Sequence, residues 1–273
     1  MKEQNITFKS YDGTVLNGSL NIADNEKAAL LFVHGITSSR DELGFHSDYA
    51  QFLSKSGITT LRFDYRFHGG ENDGSTNLES LSLCGIVNDI DSAFNALKIN
   101  VGAKIKSFFI VGTSFGGGLS AFWVDVNKRS DIKKVILNAP VLNYENDVLE
   151  RNSLIENGSL SEKAQKQLQK KGFVKSSDIK FGRGLINELK YVNGMNALQN
   201  LGSKVVIFHG NDDEDVPLTS SKKYKSSATQ LEIIPKVGHG FGVEGDEDLD
   251  FPETKAIHRG IYKKALQIIE STL

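Results

Sequence analysis

The sequence predicts an α/β fold, a mostly parallel central sheet with helices on both faces and one inserted cap. Three observations carry this. Short β-branched or aromatic runs recur along most of the 273 residues and alternate with longer segments of helical period, the pattern that leads to strand–helix–strand crossovers and a parallel sheet. The first twenty residues stand outside that alternation and read as a hairpin. The interval 141–200 breaks the alternation again and is too long for a plain loop.

In chain order, Ile6-Thr7-Phe8 alternates apolar and polar, the pattern breaks at Tyr11-Asp12-Gly13-Thr14, and it resumes from Val15 to Ile22. Two such runs around a Gly-containing turn predict an antiparallel pair. Buried strands are then expected at Leu30–Val33, Thr59–Phe63, Phe108–Val111, Val135–Leu137, Val205–Phe208 and Leu231–Ile234, because continuous apolar runs suit strands covered on both faces. Helices are expected between them at Asp41–Lys55, Leu83–Lys98, Gly116–Asn127 and Leu218–Ser226. A last one covers Glu253–Ile269, with Ile257, Ile261, Ala265 and Ile268 on one stripe. Within 141–200, a polar helix is expected at Ser161–Lys171, a small hairpin pairs Gly172-Phe173-Val174 with Ile179-Lys180-Phe181-Gly182, and a short helix follows at Leu185–Tyr191. The whole chain, 1–273, is therefore expected to be one domain with the cap at 141–200 inside it.

Composition excludes several classes of function. Lys plus Arg is 32 and Asp plus Glu is 34, a formal charge of −2, without the basic excess that tracking a nucleic-acid backbone needs. The longest apolar run, Ala28–Val33, is far short of the roughly 20 residues that cross a bilayer. No apolar stretch follows the early charges of the N-terminus, and Cys84 is the single cysteine; together these lead us to expect a cytoplasmic protein. From Lys163 to Lys190 the cap carries eight basic residues, which read as a solvated helix face.

The strongest chemical signal is Gly112-Thr113-Ser114-Phe115-Gly116, placed between a strand and a Gly-rich helix. A serine on a sharp strand-to-helix turn occupies a strained conformation, so the positions two before and two after it must be nearly free of side chain. The same turn aims the Phe115 N–H and the helix N-terminus at the space beside the hydroxyl. Two other readings compete. Gly116-Gly117-Gly118-Leu119-Ser120-Ala121 fits a dinucleotide loop, yet the strand that follows runs into Asn138-Ala139-Pro140 rather than into a ribose-binding acid. The glycines could also serve only close packing of helix on sheet.

Chain order adds to the signal. After Val205–Phe208 comes His209-Gly210-Asn211-Asp212-Asp213-Glu214-Asp215-Val216-Pro217, offering Asp212, Asp213 and Asp215 as acids, and after Leu231–Ile234 comes Val237-Gly238-His239-Gly240-Phe241. Serine, acid and histidine at successive strand ends are the parts of an acyl-transfer triad.

On these motifs the sequence resembles the α/β-hydrolase superfamily, in particular its small serine esterase and serine-aminopeptidase-like branch, which includes cinnamoyl and feruloyl esterases. The resemblance runs nearly end to end and implies an α/β-hydrolase fold. The family's H-G-x-x-D-x-x-V-P stretch places the acid on Asp213, and its G-H loop places the histidine on His239. Its H-G-x segment corresponds to His34-Gly35-Ile36, which makes Ile36 the second oxyanion donor beside Phe115. A further segment, usually D-x-R-G-x-G, is here Asp64-Tyr65-Arg66-Phe67-His68-Gly69, with Phe67 where glycine is usual. Asp64 and Arg66 are expected to hold loops together.

Of the other histidines, His34 and His209 are expected to position backbone, and His46 and His258 to lie on helix surfaces. No H-E-x-x-H pattern or Cys/His cluster occurs, so neither a metal nor another cofactor is expected. The acidic run Glu244–Asp250 reads as a solvated loop, and Cys84 as a buried or half-buried apolar residue.

The expected activity is hydrolysis of a small-molecule carboxylic ester with a small to medium acyl group. A peptidase or amidase of the serine aminopeptidase type is one alternative, and a catalytically silent binding protein is another. Phe173 and Phe181 of the cap are expected to wall the acyl or alcohol site, or else to glue cap to core.

Overall fold

The computed structural model describes residues 2–69, 77–176 and 179–273. Its first two strands, β1 (Lys2–Lys9) and β2 (Val15–Ile22), form the antiparallel hairpin, with Lys9 opposite Val15. The alternation then runs β3 (Ala28–Val33), α1 (Phe45–Lys55), β4 (Ile58–Asp64), α2 (Leu83–Val101), β5 (Phe108–Thr113), α3 (Phe115–Val126) and β6 (Ile132–Asn138). Helix α1 begins four residues later than the period suggests. Glu42, Leu43 and Gly44 all have positive φ (46°, 50° and 89°) and form a turn instead. Ser82 caps α2, its hydroxyl accepting the Gly85 N–H at 3.1 Å.

The long interval after β6 holds a π-helical turn at Glu145–Glu150, the two-residue pair β7 (Ile155–Glu156) and β8 (Ser159–Leu160), and α4 (Glu162–Lys171). The small hairpin follows as β9 (Phe173–Ser176) and β10 (Ile179–Gly182), with Phe181 opposite Val174. Then come α5 (Arg183–Leu189) and α6 (Gly194–Leu201), the second of which the period did not announce. The chain returns to the sheet with β11 (Val205–Gly210), α7 (Leu218–Tyr224), β12 (Gln230–Ile234) and α8 (Pro252–Glu270).

Eight strands form one sheet in the order β1-β2-β4-β3-β5-β6-β11-β12. The pairs β1/β2 and β2/β4 are antiparallel, and the rest are parallel. This is the α/β-hydrolase arrangement. The parallel strands send alternate residues to two cores. Leu31, Val33, Ile110, Val135, Leu137 and Ile207 join the core shared with α2 and α3, whereas Leu30, Phe32, Phe109, Ile136, Val206 and Phe208 face α1 and α8. A strand covered on both faces explains the unbroken apolar runs in the sequence.

The order of the sheet reverses at β3, whose neighbours are β4 on one side and β5 on the other. The loops leaving β3 and β5 diverge there and open a crevice at the carboxyl ends of the strands, where open α/β sheets bind ligands. Among the described residues, no helix is long and apolar enough to cross a membrane.

Two local expectations change. Cys84 is exposed, because the buried stripe of α2 runs through Leu83, Ile86 and Ile90 and leaves residue 84 on the outer side of the turn. The acidic loop is only partly solvated: Asp246 is 6% exposed and accepts the N–H groups of Asp250 and Phe251, both at 2.9 Å, at the entry to α8.

Candidate active site

Ser114 joins β5 to α3 at φ 52° and ψ −122°, a conformation rarely adopted by a residue with a side chain. The flanking glycines make it attainable. A Cβ on Gly116 would stand 2.2 Å from the His34 carbonyl oxygen, and one on Gly112 would stand 2.8 Å from that of Gly116. Backbone bonds hold the elbow, with the Ser114 N–H donating to the Asn138 carbonyl at 2.9 Å and the Val141 N–H donating to that of Ser114 at 2.9 Å.

The loops after β11 and β12 bring the other two groups to this serine. Nε2 of His239 lies 2.8 Å from Ser114 Oγ, and its Nδ1 lies 2.8 Å from Asp213 Oδ2. A carboxylate only accepts, so Nδ1 carries the proton and Nε2 is free to accept one from the hydroxyl. The other oxygen of Asp213 accepts the N–H groups of Asp215 at 3.0 Å and Val216 at 2.8 Å. Asp212 and Asp215 are exposed, so of the three acids only Asp213 faces the imidazole.

Electrostatics follow from this packing. Burial pushes the Asp213 carboxyl up, but hydrogen bonds from His209, His239 and the Val216 N–H outweigh it and hold the pKa at about 2. Burial pulls His239 down, yet the bond and charge of Asp213, with the charges of Asp215 and Glu42, leave it above its ordinary 6.5. The N–H groups of Ile36 and Phe115 donate to no protein acceptor among the described residues, which leaves both donors free for a ligand oxygen.

A cavity of about 700 Å³ lies beside His239, lined by Glu42, Phe45, Asp215, Phe241 and Leu249 among others. Among the described residues, none of its lining comes from 141–200. Phe181 is 1% exposed within the main core, and Phe173 is half-buried, with Lys180 Nζ 5.3 Å from its ring centre. Neither aromatic walls this cavity. Phe181 holds the segment to the body instead, because alternation along β10 turns it inward.

The histidines expected at helix surfaces are buried. His46 is 0% and His258 1% exposed. Nε2 of His46 lies 2.7 Å from Thr113 Oγ1, next to the nucleophile, and Nε2 of His258 lies 3.0 Å from the Gly240 carbonyl, next to His239. Burial lowers both, to about 3 and about 4. The signal was present in the sequence: His46 shares a stripe with Tyr49, Ala50 and Leu53, and His258 with Ile261, Tyr262 and Ala265. His209, at the end of the fully buried β11, approaches Asp213 Oδ2 at 3.3 Å and the Val216 carbonyl at 2.9 Å through Nε2. It thus holds the acid as well as backbone. Asp64 pairs with Arg40, and Arg66 meets Asp89 with two donors at 2.8 and 2.9 Å and Asp12 at 2.8 Å.

The sequence model of the serine aminopeptidase (S33) family matches residues 24–246, a stretch that includes Ser114, Asp213 and His239. The chain belongs to the serine aminopeptidase S33 family. No curated protein matches the chain by sequence. Solved structures share the fold of this S33 protein. Est1E from Butyrivibrio proteoclasticus, with ferulic acid bound, superposes at a TM-score of 0.74 with 18% identity, covering 96% of this chain and 98% of that one. The α/β hydrolase GrgF from Penicillium sp. sh18 gives 0.72 and 17%, covering 100% and 99%. Mouse α/β hydrolase domain-containing protein 10 gives 0.69 and 15%, covering 98% and 99%.

Proposed function

We propose that this S33 protein hydrolyses carboxylic esters of small to medium acyl groups through an acyl-enzyme. The observation that carries the proposal is the continuous chain from Ser114 through His239 to Asp213, with two contacts of 2.8 Å. Ser114 Oγ attacks the ester carbonyl while its proton passes to His239 Nε2. Asp213 keeps the imidazole in the Nδ1–H tautomer and stabilises its charged form. The Ile36 and Phe115 N–H groups receive the negative charge that develops on the carbonyl oxygen. The alcohol leaves with the proton held by Nε2. Water then attacks the acyl-enzyme, gives a proton to Nε2, and releases the acid as that proton returns to Ser114.

An ester substrate is supported by likeness to Est1E, whose structure carries ferulic acid. The family name favours a second reading, cleavage of an aminoacyl amide, and carboxylates such as Asp212, Glu214 and Glu244 around the cavity suit a substrate bearing a free amino group. With a single cysteine and so no internal disulfide, we place the protein in the cytoplasm. Residues 141–200 serve in this reading as the cap of a single domain.

A fluorophosphonate probe tests the chemistry. Covalent labelling of the native protein, abolished by Ser114→Ala, is expected, whereas an unlabelled native protein would point to a silent binding role. Turnover of aryl esters compared with aminoacyl anilides then separates the two enzymatic readings.

A further inference from the structure

We infer that His68 is a positioning residue for the oxyanion-binding N–H of Ile36, acting through the amide of the next residue, Thr37. The inference rests on the acyl-transfer reading of Ser114 and deepens it.

The loop leaving β3 is pinned by side chains on both sides of Ile36. The Gly35 N–H donates to Glu42 Oε1. The Gly35 carbonyl accepts from the Tyr65 hydroxyl at 2.8 Å and faces His34 Nδ1 at 2.7 Å. On the far side, the Thr37 N–H donates to His68 Nε2 at 3.1 Å. The Ile36 N–H alone, between these anchors, has no protein acceptor among the described residues.

Thr37 has φ 62°, a left-handed conformation that a β-branched residue rarely adopts and that persists only where its surroundings enforce it. The His68 contact supplies that enforcement on the side facing away from Gly35. Its chemistry is defined, because Nδ1 lies 3.0 Å from the Arg66 carbonyl, which only accepts. Nδ1 therefore carries the hydrogen, and the Nε2 lone pair faces the Thr37 amide. Burial pushes the pKa of His68 down to about 4, which keeps the ring neutral and this lone pair available.

The turn that aims His68 is itself tightly constrained. Phe67 has φ 64°, a left-handed conformation that a residue with a bulky side chain rarely adopts. A Cβ on Gly69 would stand 2.1 Å from the Asp64 carboxyl carbon. That same carboxylate accepts the Arg40 N–H at 2.7 Å. The segment 64–69 thus grips the oxyanion loop at Gly35, Thr37 and Arg40, and the His68 grip lies one residue from the donor.

The test compares the native protein with His68→Leu, which removes the acceptor, and His68→Gln, whose amide oxygen can replace Nε2. For an aryl ester, His68→Leu should lower kcat by ~10–100-fold, as a displaced oxyanion donor does, with KM changed by less than about twofold. Affinity for an arylboronic acid, which places an oxygen in the same hole, should fall in parallel with kcat. His68→Gln should restore most of both. A folded His68→Leu with kcat within about twofold of native, a loss confined to KM, or a Gln variant as impaired as Leu would overturn the inference. Should His68→Leu fail to fold, ¹⁵N NMR of the histidines in the native protein decides: a neutral Nδ1–H tautomer for His68 supports the inference, and a proton on Nε2 refutes it. A native protein that neither turns over ester nor labels with a fluorophosphonate overturns the acyl-transfer reading, and this one with it.

Discussion

Replacing Asp213 by asparagine changes one oxygen into an NH₂ group and sets up a conflict that the hydrogen bonds resolve in one direction. The carboxylate meets four N–H donors: the backbone groups of Asp215 and Val216 on Oδ1, and the ring nitrogens of His239 and His209 on Oδ2. An asparagine can present its oxygen to only one pair. The backbone donors cannot reverse, whereas the His239 imidazole can move its proton, so the amide oxygen stays with Asp215 and Val216 while the NH₂ faces His239. His239 must then accept at Nδ1 and carry its hydrogen on Nε2, where it can no longer take the proton of Ser114. A wrong-tautomer histidine in a triad costs roughly 10⁴-fold in kcat. Asp212→Asn and Asp215→Asn remove exposed charges that touch neither nitrogen, and kcat should stay within a few-fold of native. Folding responds as well. A carboxyl held at about 2 against its ordinary 3.8 stabilises the native state by about 2 kcal/mol above pH 4, and this contribution fades as the pH falls toward 2. The assays are burst kinetics with an aryl ester and urea unfolding across that pH range. Retention of a tenth of native kcat by Asp213→Asn, or equal damage from Asp215→Asn, would refute the assignment.

Ser114→Ala should lower turnover by at least ~10⁴-fold while far-UV circular dichroism stays native, since the loss is of a nucleophile and not of packing. The rate should rise with pH as His239 loses its proton; because its neighbours raise it above 6.5, the midpoint of the acid limb of kcat/KM should lie above that value. In Asp213→Asn the midpoint of any residual activity should move down, and an unmoved midpoint would count against the coupling. Phe181→Ala, at a site 1% exposed, should destabilise folding by about 3–5 kcal/mol and lower the melting temperature, leaving relative kcat/KM between short and aromatic esters unchanged. A shift in that ratio would instead return Phe181 to the substrate wall.

Local pattern carried a large part of this protein. Apolar runs on strands covered twice, helical stripes between them and turn residues at their ends depend on near neighbours in the chain, and they revealed the alternating architecture and the parallel sheet. Ser114 and His239 were legible for the same reason, because each sits beside its own motif, whereas the loop after β11 offered Asp212, Asp213 and Asp215 alike and only the family resemblance pointed to Asp213. Contacts between distant segments were not legible. The burial of His46 and His258 is not among these, since the apolar stripes of α1 and α8 that carry them are local, but Phe181 turned inward because β10 packs on the body. The pairing of His68 with Thr37 joins loops from two different strands. Such contacts are set by the order of strands in the sheet and by which loops that order brings together, and these follow from burial summed over the whole chain rather than from any one stretch of it.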